Sequence, residues 1–386
     1  MRALLAILAF TISAFAAAAQ TPPVIQTEAS HAVILDYETG AVLFSKNGDA
    51  PMIPASMTKM MTAQVVFDRI QRGEISLEDR FITSERAWRE GGWASGGSTM
   101  GLAIGDEPTV EELLRGIIIL SGNDACIVLA EGLSGSEEAF AAEMTALARE
   151  MGLSSATFTN STGLYHEDQR ISAADLARLA AFQIGDFPDL YELYAVPEYE
   201  WRGISQPNRN PLLGGAFEGA DGLKTGHLEA SGYSLTASAV RDGVRRILVV
   251  NGMESQAARA QEARRLMRLA FTSFETRTIA ADGETLGELD VWMGAKTQVA
   301  YRLGEPVTVS GHKRAFDDAK TEIVYQSPIE APIQPGDQLG ELIVTVPGSP
   351  VERAPIVAVE RVNRLGFVGR AVEGLRFMMT GRDDAA

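Results

Sequence analysis

Strand-like segments stand at both ends of the first two-thirds of this chain, with a long helical stretch between them. His31-Ala-Val-Ile-Leu-Asp-Tyr37 and Ala41-Val-Leu-Phe44 flank Glu38-Thr39-Gly40, which reads as a hairpin. Tyr233 to Val240 and Arg246 to Val250 form a second pair around Asp242-Gly243, a strong turn signal. Between them, Pro54 and Ser56 open a helix that runs to about Arg72 and stops at Gly73. Thr109 and Glu112 have capping-box spacing before a helix that ends near Leu120. Phe140, Met144, Leu147 and Met151 recur at helical spacing before Gly152, another helix begins near Ser172, and Glu254 to Phe271 reads as a closing helix. The simplest assembly is an α+β fold: one mostly antiparallel sheet, fed by both ends of the segment, with helices packed around it.

A length of 386 residues exceeds one ordinary domain, and the character changes near Thr276. Short β-type runs such as Pro306-Val-Thr-Val-Ser310 and Glu341-Leu-Ile-Val-Thr-Val346 then alternate with turns, which predicts a small all-β sandwich over 276–350. Residues 351–386 form a separate tail. Val362, Leu365, Val368, Val372, Leu375 and Met379 make an apolar helical stripe, and Arg361, Arg364, Arg370 and Arg376 share the other face. A basic amphipathic helix of this kind suits a membrane surface. At the other end, Met1-Arg2, the apolar run Ala3 to Phe15 and Ala17-Ala18-Ala19 before Gln20 predict a secretory signal over 1–19. The first domain then covers 20–275, outside the cytoplasm.

Composition narrows the function. Acidic residues outnumber basic ones 51 to 34, for a formal charge of −17. That field repels phosphates and argues against a nucleic-acid partner. The single cysteine, Cys126, excludes an internal disulfide framework and fits a buried, unpaired thiol. None of the four histidines forms an H-E-x-x-H pair, so a mechanism without metal or cofactor is expected.

Three short strings carry chemistry: Ser56-Met57-Thr58-Lys59, Ser121-Gly122-Asn123 and Lys224-Thr225-Gly226. Each is weak alone. A second S-x-x-K occurs at Ser310 to Lys313 and a second S-x-N at Ser45 to Asn47. Context separates them. Ser56 and Lys59 lie one helical turn apart on one face, and a serine becomes a nucleophile when an adjacent amine takes its proton. Neutralising a lysine at pH 7 costs about 4.6 kcal/mol, which burial and a second cation, Lys224, can offset. Ser121 and Asn123 sit on an exposed turn after a helix, able to relay a proton and to hold Lys59 or a substrate amide. Thr225 supplies a hydroxyl, and Gly226 lets a substrate backbone approach. The backbone N–H groups of His227 and Ser56 can form an oxyanion hole.

In order and in context, these strings resemble the active-site elements of penicillin-binding proteins and class A β-lactamases. The wider text, Pro54-Ala-Ser56-Met-Thr-Lys59-Met-Met, Ser121-Gly-Asn-Asp-Ala-Cys126 and Lys224-Thr-Gly-His227, is similar to the low-molecular-mass D-alanyl-D-alanine carboxypeptidases. The resemblance implies a transpeptidase-like domain, a β-sandwich and an amphipathic tail. It implies a serine peptidase that removes the last D-alanine from the pentapeptide stem of peptidoglycan. Ser56 is then the acylated nucleophile, Lys59 the proton acceptor, Ser121 and Asn123 the second motif, and Lys224 a substrate-binding residue. Arg259 then meets the substrate's terminal carboxylate. β-Lactams would inhibit by acylating Ser56. The enzyme would work in the periplasm, peripheral on the outer face of the inner membrane. Leu228 departs from the family's usual small polar residue at the rim. Two alternatives stand beside this reading. A class A-like β-lactamase lacks support because no E-x-x-L-N segment lies between the second and third strings, Glu167 being followed by Asp168-Gln169-Arg170. A non-catalytic wall-binding protein would not need all three strings.

Overall fold

The computed structural model describes residues 25–280 and 283–380. The signal expected over 1–19 lies outside the described residues. Strands β1 (His31–Asp36) and β2 (Val42–Lys46) form the first hairpin. Strands β3 (Ala220–Leu228), β4 (Gly232–Arg241) and β5 (Val244–Met253) come from the far end of the domain. They assemble as one antiparallel sheet in the order β2-β1-β5-β4-β3, so β1 pairs with β5 and β3 is an edge. Asp242 and Gly243 both take positive φ, 50° and 77°, the conformation a two-residue turn of matching twist needs.

The period-2 alternation buries both faces of the sheet. Ala32, Ile34, Leu248 and Val250 join a core with Leu266, Met267 and Ala270 of the closing helix, Gln256–Thr272. Val33, Leu35, Ile247 and Val249 join the core of the helical side. That side holds α1 (Lys59–Gln71), α2 (Val110–Ile118), α3 (Asn123–Ser134), α4 (Glu137–Glu150) and α5 (Ala173–Asp186); the closing helix is α6. Every residue of α1 from Lys59 to Phe67 is buried, as befits a helix enclosed on all sides. The capping box at Thr109 and Glu112 is formed, with both reciprocal hydrogen bonds. Ser172 caps α5 through Asp175 N–H, and Gly73 ends α1 at φ 70°.

The second domain begins with β6 (Phe274–Ala280), which pairs with β9 (Val307–His312). Strands β7 (Thr285–Trp292), β8 (Gln298–Leu303), β10 (Lys320–Tyr325), β11 (Gln338–Thr345) and β12 (Glu352–Ala358) join the short strand Ile329–Glu330 in a six-stranded sheet. One apolar core fills this all-β unit. Its end differs from the expected boundary at residue 350. Strand β12 lies between β11 and β8, and Ile333 bridges to Val362. Pro355 argues against a central strand in sequence, yet pairing to β8 starts only at Ile356, so the missing N–H falls beyond that ladder.

The tail is corrected in the same way. Val362 is fully buried in the β core rather than starting a surface stripe, and Leu365 N–H bonds Met293 O. The terminal helix, α7, spans only Phe367–Thr380. Within it Phe367, Val368, Val372, Leu375, Met378 and Met379 are all more than half exposed.

Candidate active site

Ser56 sits on a 3-10 turn, Ala55–Thr58, that runs straight into α1. Ala55 enters that turn at φ 50°, a left-handed conformation that is uncommon for a residue with a Cβ. One turn further, Lys59 is 1% exposed. Its Nζ lies 3.2 Å from Ser56 Oγ, 2.8 Å from Asn123 Oδ1 and 2.5 Å from Thr162 O. Burial, reinforced by the Arg209 cation, holds the Lys59 pKa below the ordinary lysine value.

Ser121 also has positive φ, 62°, and Asn123 is the first residue of α3. Both are buried rather than exposed on the turn, at 2% and 4%. Packing explains the difference: Asn123 N–H donates to Ser98 O at 2.8 Å, which seats the 96–102 loop over the turn. Asp124 fixes that loop from beneath. Its carboxylate accepts from Thr99 Oγ1 and from the N–H groups of Met100, Gly101 and Leu102 at 2.7 to 3.0 Å.

Strand β3 brings the third string to the opposite wall. Lys224 is 2% exposed, and its Nζ donates to Thr225 O at 3.2 Å. Burial first, then the Lys59, Arg209 and Arg259 cations, hold its pKa well below the usual value. Gly226 also packs against the turn that carries Ser56. A Cβ there would meet Pro54 O at 2.9 Å and Ala55 Cβ at 3.2 Å. The glycine therefore admits the Ser56 turn against β3.

The walls enclose a cavity of about 640 Å³, lined by Ser56, Ser121, Asn123, Thr225, Gly226, His227, Leu228 and Arg259 among others. Lys59 and Lys224 stand behind these walls. His227 stacks on Tyr233 at 3.9 Å, with the Arg259 guanidinium 6.0 Å from the Tyr233 ring. Burial pushes the Arg259 pKa down to about 10. Its Nε is buried without a hydrogen-bond partner in the protein, so it has capacity for an anionic group.

Other candidates fall away from the cavity. Ser310 is buried on β9 against Thr276 Oγ1 at 2.7 Å, while Lys313 reaches Phe271 O. Ser45 and Asn47 serve a turn and the Ser30 carbonyl. Cys126 is enclosed in the core, and burial pushes its thiol up to about 12. Three further groups contribute to the site without belonging to any of the three strings: Arg209, which lines the cavity and donates to Ser98 Oγ at 2.5 Å, the Thr162 carbonyl, and Glu137 behind it. An arginine in a loop and a backbone carbonyl have no sequence signature.

Comparison with known proteins agrees with this geometry. Residues 16–255 match the family described as D-alanyl-D-alanine carboxypeptidase, peptidase S11. Residues 274–364 match the C-terminal domain of penicillin-binding protein 5, which also carries the β unit past residue 350. The chain is 36% identical over 363 residues to D-alanyl-D-alanine carboxypeptidase DacC of Escherichia coli, covering 94% of this chain and 90% of that one. It is 35% identical over 347 residues to DacF of Bacillus subtilis, covering 88% and 87%. Penicillin-binding protein 5 from Haemophilus influenzae superposes with a TM-score of 0.76 at 33% identity, covering 89% of this chain and 99% of that structure. Penicillin-binding protein D2 from Listeria monocytogenes, solved with ampicillin bound, gives 0.56 at 27% identity over 65% of this chain and 100% of that one. With the three strings converging on one cavity, the chain belongs to the D-alanyl-D-alanine carboxypeptidases of peptidase family S11.

Proposed function

We propose that Ser56 is the nucleophile of this carboxypeptidase and Lys59 its proton acceptor, acting on the pentapeptide stem of peptidoglycan. The observation that carries this is the surroundings of Lys59 Nζ. An ammonium has three N–H groups for its three partners. Loss of one proton leaves two, which the Asn123 and Thr162 oxygens hold, and the lone pair then faces Ser56 Oγ. Ser56 Oγ attacks the carbonyl carbon between the two D-alanines as its proton passes to Lys59. The N–H groups of Ser56 and His227 receive the oxyanion. Ser121 passes its hydroxyl proton to the departing amine as the C–N bond breaks and takes back the proton that Lys59 received from Ser56. Water then hydrolyses the ester on Ser56. Arg259, with Thr225, binds the terminal carboxylate. No step calls for a metal or cofactor. β-Lactams acylate Ser56 by the same first step.

The site of action follows from the two ends of the chain. A signal-like start supports export to the periplasm, and the apolar exposed face of α7 supports attachment to the outer face of the cytoplasmic membrane. Arginines near anionic lipid contribute about 1 kcal/mol each, so the apolar side chains must supply most of the affinity. D-Alanine release from a synthetic pentapeptide tests the activity, and Lys59→Ala should stop it in a chain that still folds. Sedimentation with anionic vesicles tests the tail: a chain lacking 367–386 should stay in the supernatant. Equal sedimentation with and without the tail would reject the anchor.

A further inference from the structure

The aim of Lys59 depends on Thr162, and Thr162 is held in place by a buried carboxylate. Ser161 donates both its N–H and its hydroxyl to Glu137 Oε1, at 3.0 and 2.7 Å. The Ser161 carbonyl accepts from Thr62 Oγ1 at 2.6 Å, which ties the loop to α1 just beyond Lys59. The second Glu137 oxygen accepts from Arg86 Nη2 at 3.1 Å. Arg86 leads into the turn Ala87–Gly91, and Gly91 lies flush on α3: an added Cβ would be 2.2 Å from the Asp124 N. One carboxylate on a residue only 6% exposed thus ties down the segment that carries the Thr162 carbonyl, through both donors of Ser161. Glu137 is not among the residues lining the cavity, so it touches no substrate.

We propose that Glu137 is a positioning residue for the acylation step: it holds the Thr162 carbonyl where it engages an N–H group of neutral Lys59, leaving the Lys59 lone pair on Ser56. The proposal rests on Lys59 being the proton acceptor. The charged and titratable groups facing Lys59 are Asp124 and Cys126 on α3, Glu137 on α4, Arg209, and Lys224 on β3. Asp124 is spent on the Thr99 hydroxyl and the 100–102 backbone, and the Cys126 thiol is pushed up by burial to about 12. The Glu137 carboxylate favours the Lys59 ammonium. Removing that charge should ease deprotonation even as it loosens the geometry.

The test is stopped-flow acylation by a fluorescent penicillin across pH, for wild type, Glu137→Gln and Glu137→Ala, with thermal melts alongside. Displacing a reacting group by about 1 Å costs up to ~100-fold. Glu137→Ala should therefore acylate at least ~10-fold more slowly with unchanged noncovalent affinity. Glu137→Gln keeps an acceptor for Ser161, so it should recover most of the rate and place its acidic limb at lower pH than wild type. If the alanine variant does not fold, the glutamine profile decides alone. A glutamine variant with the wild-type acidic limb, or an alanine variant with the wild-type rate, overturns the proposal. A wild type that is not acylated at all overturns instead the assignment of Ser56 and Lys59.

Discussion

Replacing Gly226 with alanine tests whether the edge strand and the Ser56 turn are one machine. The glycine has no positive φ, so its importance is space rather than conformation. The new methyl would lie 2.9 Å from Pro54 O and 3.2 Å from Ala55 Cβ. Pro54 O cannot yield freely, because it accepts Met57 N–H at 3.2 Å and so closes the turn that carries Ser56. Strand β3 is the freer partner, being an edge with only β4 beside it. Reaching an ordinary contact of about 3.5 Å requires it to retreat by about half an ångström. That retreat separates the His227 N–H from the Ser56 N–H. If ~1 Å costs up to ~100-fold, half of it costs about 10-fold in acylation. Overpacking should also lower stability by about 1–3 kcal/mol. Penicillin acylation and a urea melt measure the two effects. An alanine variant acylated within twofold of wild type, at unchanged stability, would refute the coupling.

Two further perturbations follow from the same geometry. Lys224 is buried with its pKa held down, so the unfolded chain binds the extra proton between the folded and unfolded pKa values, and this lysine's contribution to stability rises with pH through that window. Lys224→Met should remove that contribution to the pH slope and stabilise the fold by about 1–4 kcal/mol at neutral pH, while losing carboxypeptidase activity; a variant less stable than wild type contradicts the reasoning. Arg259→Gln should lower kcat/KM for the pentapeptide about 10- to 100-fold, the worth of one charge-assisted hydrogen bond. A peptide with an amidated terminus should be far less sensitive to that substitution, and equal losses on both peptides would remove Arg259 from the carboxylate.

Much of this was legible in the sequence because the local signals agreed with one another. The Asp242-Gly243 turn, the Thr109–Glu112 box and the alternation in β1 each name their own structure, and the sheet follows from pairing the two hairpins. That Ser56, Lys59 and Asn123 meet in one place was legible because the three strings stand in a fixed order on fitting elements. What escaped has a common cause. Thr162 contributes only a carbonyl, which any residue carries. Glu137 stands in the first turn of α4 behind its cap Ser136, where an acidic residue is ordinary helix chemistry. Ala55 and Ser121 adopt left-handed φ without being glycine, a strain imposed by tertiary packing at the site. Val362 fits a helical stripe by spacing, and only the β core shows where it is buried.

The central claim is that the hydroxyl of Ser56 becomes the acyl carrier because the Lys59 amine beside it takes the proton. Mass mapping of the penicillin adduct addresses it directly. One adduct per chain is predicted, on the peptide containing Ser56, absent in Ser56→Ala and slowed at least ~100-fold in Lys59→Ala. An adduct on any other residue, or a Lys59→Ala chain labelled at the wild-type rate, would contradict the account.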